Sequence, residues 1–431
     1  MAFFFAAQRA WPARTCALLA SIFFYAAAAL PAAAAPLTLD QAWQTAEAAN
    51  PVLQSARANL AAAQGQLADT QGLLWNNPQL YTERVRRDVP QVGLDNQRQR
   101  EWNTSLSQAF EIGGQHGYRR EAAAQELAAL QSALQETRRQ IRAEVEQRFV
   151  RVLALQLRMA TEQETLQLVE SAATVVKKRV TAGEDSRLDG NLAAVEAERG
   201  RNQLAALGEQ LTEARAALAS ALQMAPESLP EVSGELTPVA ARYNLDQLLA
   251  SAAQRPQLRA FELREAAARN RLDLERASVY PDITLGVSSG REGAATAREK
   301  LVGVSVSLPL PLFRRNAGGI GRATTELTQA QIERQVVGRD TLAQVRALWL
   351  KVESLRARVE RLQQTVLASL DDNQRLSSIS YRAGEIGLLQ LILVNRQVFD
   401  GRRDLLDART ELRLATLALE AAAGWPINGD S

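Results

Sequence analysis

Apolar residues recur along this chain with two different periods. Val345, Leu348, Val352, Leu355, Val359, Leu362 and Val366 advance in alternating steps of three and four, as do Leu204, Leu207, Leu211, Ala214, Leu218 and Ala221. Val394, Val398, Gly401, Leu405, Ala408, Leu412, Ala415 and Leu419 continue the pattern. Such a seam packs helix against helix in coiled-coil fashion, and its Ala and Gly members allow close approach. Elsewhere the period is two. Trp102, Thr104, Leu106, Gln108 and Phe110 alternate with Asn103, Ser105, Ser107 and Ala109. Val302, Val304, Val306 and Leu308 alternate with Gly303, Ser305 and Ser307, and Ile283, Leu285 and Val287 alternate with Thr284 and Gly286. The spacing predicts strands over 79–88, 101–111, 282–291 and 299–309, the first poorer and more charged. One apolar and one small or polar face suits a lipid-facing barrel strand as well as a half-buried strand of a soluble sheet.

Proline placement parses the rest. Pro51, Pro78 and Pro90 are followed by none until Pro226, and Pro256, Pro281, Pro309 and Pro311 by none until Pro426. Proline breaks helix interiors, so the empty stretches predict long helices over 117–181, 184–223, 318–382 and 386–423, with shorter ones over 51–76 and 256–279. In each half the two shorter helices together match the long one, so they are expected to stack end to end beside it over roughly 100 Å. The halves are copies: Leu39-Asp40-Gln41, Asn50-Pro51-Val52-Leu53 and Asn77-Pro78 return as Leu245-Asp246-Gln247, Arg255-Pro256-Gln257-Leu258 and Tyr280-Pro281. A first repeat over 36–223, an equatorial linker over 224–242, a second repeat over 243–425 and a tail over 426–431 follow. Four strands cannot close a barrel, and open edges are not tolerated in lipid, so a membrane location requires a barrel shared among subunits.

The remaining features narrow the class. Arg9 and Arg14 precede an apolar core, Cys16 to Leu30, and small residues Pro31-Ala32-Ala33-Ala34-Ala35. This reads as a signal peptide over 1–35, cut within 33–35. The one cysteine, Cys16, lies inside it, so the mature chain is expected to have neither disulfide nor lipid anchor. No later apolar run is long enough for a transmembrane helix. A net charge of +2 with 23% charged residues gives no nucleic-acid surface. His116 is the sole histidine and reads as a junction residue. With it alone, no triad, metal cluster, P-loop or dinucleotide fingerprint can be assembled, and no enzyme, cofactor or resident metal is expected. The pairs Arg119-Arg120 and Arg314-Arg315 sit near the expected membrane boundary, where they would order headgroups, while Arg402-Arg403 reads equally as a solvated helix face.

The junction segments Ser105-Leu106-Ser107-Gln108-Ala109-Phe110-Glu111-Ile112-Gly113-Gly114-Gln115 and Ser305-Val306-Ser307-Leu308-Pro309-Leu310-Pro311-Leu312-Phe313-Arg314-Arg315-Asn316 carry a resemblance. Nearly all of the mature chain resembles the TolC family of bacterial outer-membrane factors, and most of all its heavy-metal, cobalt–zinc–cadmium resistance branch. The resemblance implies a mainly α fold with a small β part: a homotrimer with a twelve-stranded outer-membrane barrel continued by a periplasmic α-helical coiled-coil tunnel. It implies the outer membrane of a Gram-negative bacterium, contact with its lipid, and docking to a periplasmic adaptor and an inner-membrane pump of the resistance–nodulation–division type. The chain would be a passive exit duct for divalent cobalt, zinc, cadmium or nickel. An exit duct for drugs or secreted proteins is the alternative within the architecture, and a soluble periplasmic coiled-coil adaptor the alternative outside it. The breaks at Arg179, Val180, Ala182, Gly183 and Glu184, and at Tyr381, Arg382, Ala383, Gly384, Glu385 and Leu388, resemble the family's adaptor-docking hairpin tips. Where drug-exporting relatives carry two aperture aspartates, this chain has Gln390 and Leu393, which leaves Asp185 and Asp189 as aperture candidates. Glu111, Gly113, Gly114, Pro309, Pro311 and Phe313 mark the strand-to-helix junctions.

Overall fold

The repeated Leu-Asp-Gln is the first turn of a capped helix. In α1 (Leu39–Ala49) the Thr38 hydroxyl accepts from the Gln41 N–H at 3.4 Å, while the Gln41 side chain accepts from the Thr38 N–H at 3.1 Å. Asn244 and Gln247 make the same reciprocal box, both bonds at 2.9 Å, at the start of α5 (Leu245–Ala253). Pro51 and Pro256 then occupy the first positions of α2 (Pro51–Thr70) and α6 (Pro256–Ala277), where a missing N–H costs nothing. The shorter helices thus end before 76 and 279, and α1 and α5 precede them as separate elements. The computed structural model describes residues 36–236, 243–294 and 297–425. The expected signal peptide (1–35), residues 237–242 of the linker and the tail (426–431) lie outside the described residues.

Four strands follow the short helices and precede the long ones: β1 (Gln79–Gln91), β2 (Leu94–Phe110), β3 (Ile283–Ala294) and β4 (Ala297–Ser307). They form one antiparallel sheet in the order β1-β2-β3-β4, with β1 and β4 at its edges. The first hairpin is longer than its apolar pattern indicated, since β2 begins at Leu94 and not near 101. Beyond Trp102 the outward positions are arginines, so the hydrophobic alternation stops while backbone pairing continues to a turn at Val92-Gly93, with Gly93 at φ +77°.

The helices inherit the order of the strands. Helix α3 (Gln115–Ala182) packs against α2 and α6, and α6 packs against α7 (Ala317–Arg361). Below the middle, α4 (Arg187–Ala221) takes the place of α2 on α3, and α9 (Leu388–Ala423) takes the place of α6 between α3 and α7. At 68 residues, α3 spans about 100 Å. Its counterpart is interrupted: a π-helical turn, Leu362–Val366, separates α7 from α8 (Leu367–Arg382). The extra residue in that turn resets the helical phase, so Val366, which the seam pattern placed against a neighbour, is exposed. Leu367 and Leu370 take over and lie across Gly401 of α9, where a Cβ would fall 2.4 Å from Leu370 Cδ1.

Two corresponding cores occupy the waist. One joins Ala42, Trp43 and Ala46 of α1 to Val145, Phe149 and Leu153 of α3 and to Leu211 and Leu218 of α4. The other joins Leu248 and Ala252 of α5 to Val345 and Val352 of α7 and to Leu412 and Leu419 of α9. The linker seals the first: Val232 and Leu236 are buried in it, and Ser233 N–H donates to Leu37 O at 3.0 Å.

The repeats diverge at the residue before the helix-starting proline. Asn50 caps its own helix, accepting from the N–H groups of Val52 and Leu53 at 2.9 and 3.3 Å. Arg255 makes no cap. Its guanidinium donates to Glu136 of α3 and, at 3.1 Å, to Ala422 O at the end of α9, while Arg139 donates to Ala421 O at 3.2 Å. Arg255 and Glu136 are 9% and 5% exposed. Removing one partner of such a pair strands the other charge in low dielectric, and Arg255→Ala is expected to cost about 3–5 kcal/mol. Urea melts of the detergent-solubilised protein read this, and the joint replacement Arg255→Met with Glu136→Met should recover most of the loss.

A second polar group lies next to the cores. Burial pushes the Glu146 carboxyl above the ordinary carboxylate range, against the opposing pull of Arg142. Burial also pushes Glu420 up, against the hydrogen bond donated by Tyr243 at 3.1 Å. Tyr243 itself packs edge-on to Trp425. A raised carboxyl pKa means the folded state holds more protons than the unfolded one, so stability is full below the ordinary carboxylate pKa and falls as pH rises through the folded value. Glu146→Gln should therefore flatten the fall in Tm as pH rises above the ordinary carboxylate range. A variant whose Tm falls as steeply as wild type contradicts this.

Candidate functional site

The sheet separates its side chains by chemistry. Leu80, Leu106, Val287 and Val304 pair across all four strands in a single row, and Val302 and Val306 flank it on β4. Leu80 is 72% and Val304 80% exposed, so this face buries nothing within the subunit. The opposite face is small and polar: Gln79, Ser107, Gly286 and Ser305 form one row, and Tyr81, Ser105, Ser288 and Gly303 the next. Farther from the helices both faces become charged, with opposite signs. The apolar face continues into Arg84, Arg86, Arg98, Arg100, Arg291, Arg298 and Lys300, with Asp88 the one carboxylate. The small-residue face continues into Glu83, Glu101, Glu292 and Glu299, with Arg87 bridging to Glu101 at 3.2 Å. Large apolar residues facing outward from a sheet, with a small polar reverse side, are the dyad pattern of a transmembrane barrel strand.

Both strand-to-helix junctions are pinned to the end of α6. After β2, Gly113 N–H donates to the Gln115 side chain at 2.7 Å, and Gln115 donates to Ala277 O and Tyr280 O at 3.2 and 3.1 Å. A Cβ at Gly113 would meet Ala277 O at 2.9 Å, and Gly114 turns into α3 at φ +81°. Glu111 accepts both arms of Arg119, at 2.8 and 3.0 Å, and Arg119 lies 3.9 Å over the Trp75 ring. After β4, Asn316 donates to the Glu275 carbonyl and carboxylate at 2.9 and 2.6 Å. Pro309, Pro311 and Phe313 lie in the exposed segment between, along with Leu310, Leu312, Arg314 and Arg315. His116 has an enclosed, unpartnered Nδ1, and among the described residues no group of three His, Cys, Asp or Glu side chains is placed to hold a metal. Arg402 and Arg403 are not a free basic pair: Arg402 bridges to Asp371 of α8 at 3.1 Å, and Arg403 to Glu162 of α3 at 2.6 Å.

The two tips reverse by one mechanism. Gly183 and Gly384 sit at φ +78° and +77°. Gly183 N–H donates to Val180 O and Glu184 N–H to Arg179 O, at 3.2 and 2.9 Å. Gly384 N–H donates to Tyr381 O and Glu385 N–H to Ser380 O, at 3.1 and 2.9 Å. This pairing satisfies the last carbonyls of a helix whose next residue is left-handed. The structure brings Arg179, Glu184, Asp185 and Tyr381 together. Arg179 pairs with Asp185 at 3.1 Å and Glu184 at 3.5 Å, and donates to the Tyr381 hydroxyl at 3.3 Å. Val180, Tyr381 and Ile392 pack on Val176 and Ala193; Val176, Ala193 and Ile392 are three residues that sequence reasoning missed. The i, i+4 spacing of Val176 and Val180 was the available signal. Ala182, Arg382, Ala383 and Glu385 form the exposed turns. Asp189 is occupied in the capping box of Ser186 that starts α4, with its N–H donating to Ser186 Oγ at 3.2 Å. Leu388 begins α9, and Gln390 and Leu393 are exposed on that helix.

A model of the family described as outer membrane efflux protein matches residues 42–223 and 248–425. The chain belongs to this family. The two matched stretches fall one on each repeat, so this is an outer-membrane efflux channel protein. Among characterised relatives, the chain is 28% identical over 386 residues to the cobalt-zinc-cadmium resistance protein CzcC of Cupriavidus metallidurans, covering 86% of each. It is 27% identical to the nickel-cobalt-cadmium resistance protein NccC of Alcaligenes xylosoxydans xylosoxydans, over 63% of this chain and 62% of that one. Among solved structures, the outer membrane protein VceC of Vibrio cholerae superposes with a TM-score of 0.74 at 19% identity, over 90% of this chain and 96% of the other. That likeness establishes the fold, TolC-type and mainly helical with a small strand part. No helix among the described residues is long and apolar enough to cross a membrane.

A valine at Gly384 would have to adopt a left-handed backbone at a cost of about 1–2 kcal/mol. Hydrogen exchange should then show the Glu385 amide losing roughly one order of magnitude of protection, with the β2 amides unchanged.

Proposed function

We propose that three copies of this chain close one twelve-stranded barrel and one helical tunnel, and that this duct passively carries divalent heavy-metal cations out of the cell. Cobalt, zinc, cadmium and nickel are the cargo class, delivered from periplasm or cytoplasm. Closure follows from the edges: β1 of one copy supplies the partner that β4 of the next lacks, and α2 and α4 meet α7 and α8 in the same order. The carrying observation is the small-residue face of the sheet. It lies on the reverse of a lipid-type face, and Glu101, Glu292 and Glu299 stand side by side across three strands near its far end. In a closed barrel, carboxylates lining the mouth favour cations over anions without a chelating site, so ions enter and leave quickly. The relatedness to CzcC over most of both chains supports the same cargo.

The tips are the docking surface for a periplasmic adaptor, through Arg179, Val180, Ala182, Gly183 and Glu184 of one hairpin and Tyr381, Arg382, Ala383, Gly384, Glu385 and Leu388 of the other. An inner-membrane pump of the resistance–nodulation–division type behind the adaptor supplies the energy. Gln390 and Leu393 mark the periplasmic aperture. Asp185 serves it through its pair with Arg179, and Asp189 by holding the start of α4.

Cells lacking this chain should accumulate more Zn²⁺, Co²⁺ and Cd²⁺ than cells carrying it, measured by elemental analysis after a metal challenge. In planar bilayers, Glu101→Gln with Glu292→Gln and Glu299→Gln should lower cation-over-anion selectivity by about twofold to threefold. Unchanged accumulation together with unchanged selectivity would overturn the metal reading and leave a duct for another cargo.

A further inference from the structure

The basic face at the far end of the sheet is not needed to close a barrel or to pass cations. Six basic residues, Arg84, Arg86, Arg100, Arg291, Arg298 and Lys300, lie in two adjacent rows on the same face as Leu80, Leu106, Val287 and Val304. All six are exposed, and none forms an ion pair with another described residue. Arg86 stands directly opposite Arg100, and Arg291 directly opposite Lys300. Like charges facing each other across a strand pair are destabilising unless an anion lies between them. A solvated strand tip would mix both signs on both faces. Here the carboxylates alternate to the other side, apart from Asp88, which lies one row farther out opposite Arg98, 4.0 Å from it, and pairs with none of the six. Trp102 lies in the row with Arg84, Arg291 and Lys300, at the boundary where apolar side chains give way to basic ones. Aromatic residues mark the depth at which a bilayer's hydrocarbon meets its headgroups.

We infer that this basic belt binds the phosphate groups of anionic lipid headgroups in the leaflet facing the exterior, a role that rests on the outer-membrane reading. The apolar rows set the occupant: a surface continuous with lipid tails presents its cations to the headgroups of those same lipids. Arginine suits the task because its planar fork takes two phosphate oxygens at once. Closing the barrel repeats this basic patch once per copy around the rim, so each copy offers its own headgroup site.

The test uses the full-length trimer, purified from outer membranes and exchanged into nanodiscs. One set contains phosphatidylcholine doped with a phosphorylated glycolipid, and the other the same glycolipid after enzymatic removal of its phosphates. Bound lipid is counted by native mass spectrometry. Wild type should retain the phosphorylated form about tenfold over the other. Combining Arg84→Gln, Arg86→Gln, Arg100→Gln and Arg291→Gln should abolish the preference, while Glu292→Gln with Glu299→Gln on the opposite face should leave it intact. The wild-type comparison decides the matter even if the fourfold variant fails to assemble. A trimer recovered from the outer membrane that shows no preference, or a variant that keeps it, overturns the lipid site and leaves the channel standing. A chain absent from the outer membrane overturns both.

Discussion

A strand edge carries a row of N–H and C=O groups that hydrocarbon cannot satisfy. The sheet here has two such edges, β1 and β4, and its exposed apolar face belongs in lipid. The molecule is organised by the need to pair those edges, which the proposed trimer meets with copies of itself. Each strand is joined to a helix on its own side, so the order β1-β2-β3-β4 becomes the order α2, α3, α6, α7. A subunit built this way is a panel with two free sides, β1 with its helices and β4 with its own. Repetition inside the panel gives it two strand pairs and two hairpins, so rotation about one axis brings like surfaces round at twice the subunit frequency.

A panel roughly 100 Å tall has to transmit its register from one end to the other. Its helices are discontinuous at the waist, where short ones end and others begin. There the two copies have solved the same problem differently. Asn50 satisfies its own helix start and interacts with little else. Arg255 leaves its helix start without a side-chain cap and reaches into α3 and the end of α9. The second repeat is thereby fastened to the first at one buried charge pair, whereas the first repeat is held by apolar packing of Leu53, Val145 and Leu218.

Most of this was open to a reader of the sequence, because the elements are long and periodic. Proline-free stretches marked the long helices, and glycines at 183 and 384 marked the reversals. The sheet was legible where apolar and small residues alternate. It was not legible beyond Trp102, because there both faces carry charge and a count of hydrophobic residues sees no period. Parity would have sorted those charges: even-numbered positions in β1 and β2 hold nearly all the arginines, and odd-numbered positions the glutamates. The π turn was hidden because Leu362 and Val366 keep the expected spacing. Only the backbone records that the phase has changed. The partners of Arg179 and Arg255 lie far away in the chain, Tyr381 and Glu136, and spacing has nothing to say about such pairs.

Glycine and serine on the inner side of the sheet have a consequence for how the pore is dimensioned. A Cβ at Gly286 would meet Ser305 Oγ at 2.5 Å, and one at Gly290 would meet Trp102 O at 2.8 Å. From Ser107, Gly286 and Ser305, and from Ser105, Ser288 and Gly303, little side chain projects and little more fits, while β1 contributes the larger Gln79 and Tyr81. The bore at that level is drawn by the backbone, which the hydrogen-bonded ladder holds at constant width, and not by rotamers that swing in and out. Such an exit behaves as a fixed orifice. In the proposed duct, control over opening falls to the opposite end of the molecule, among side chains that can change partners.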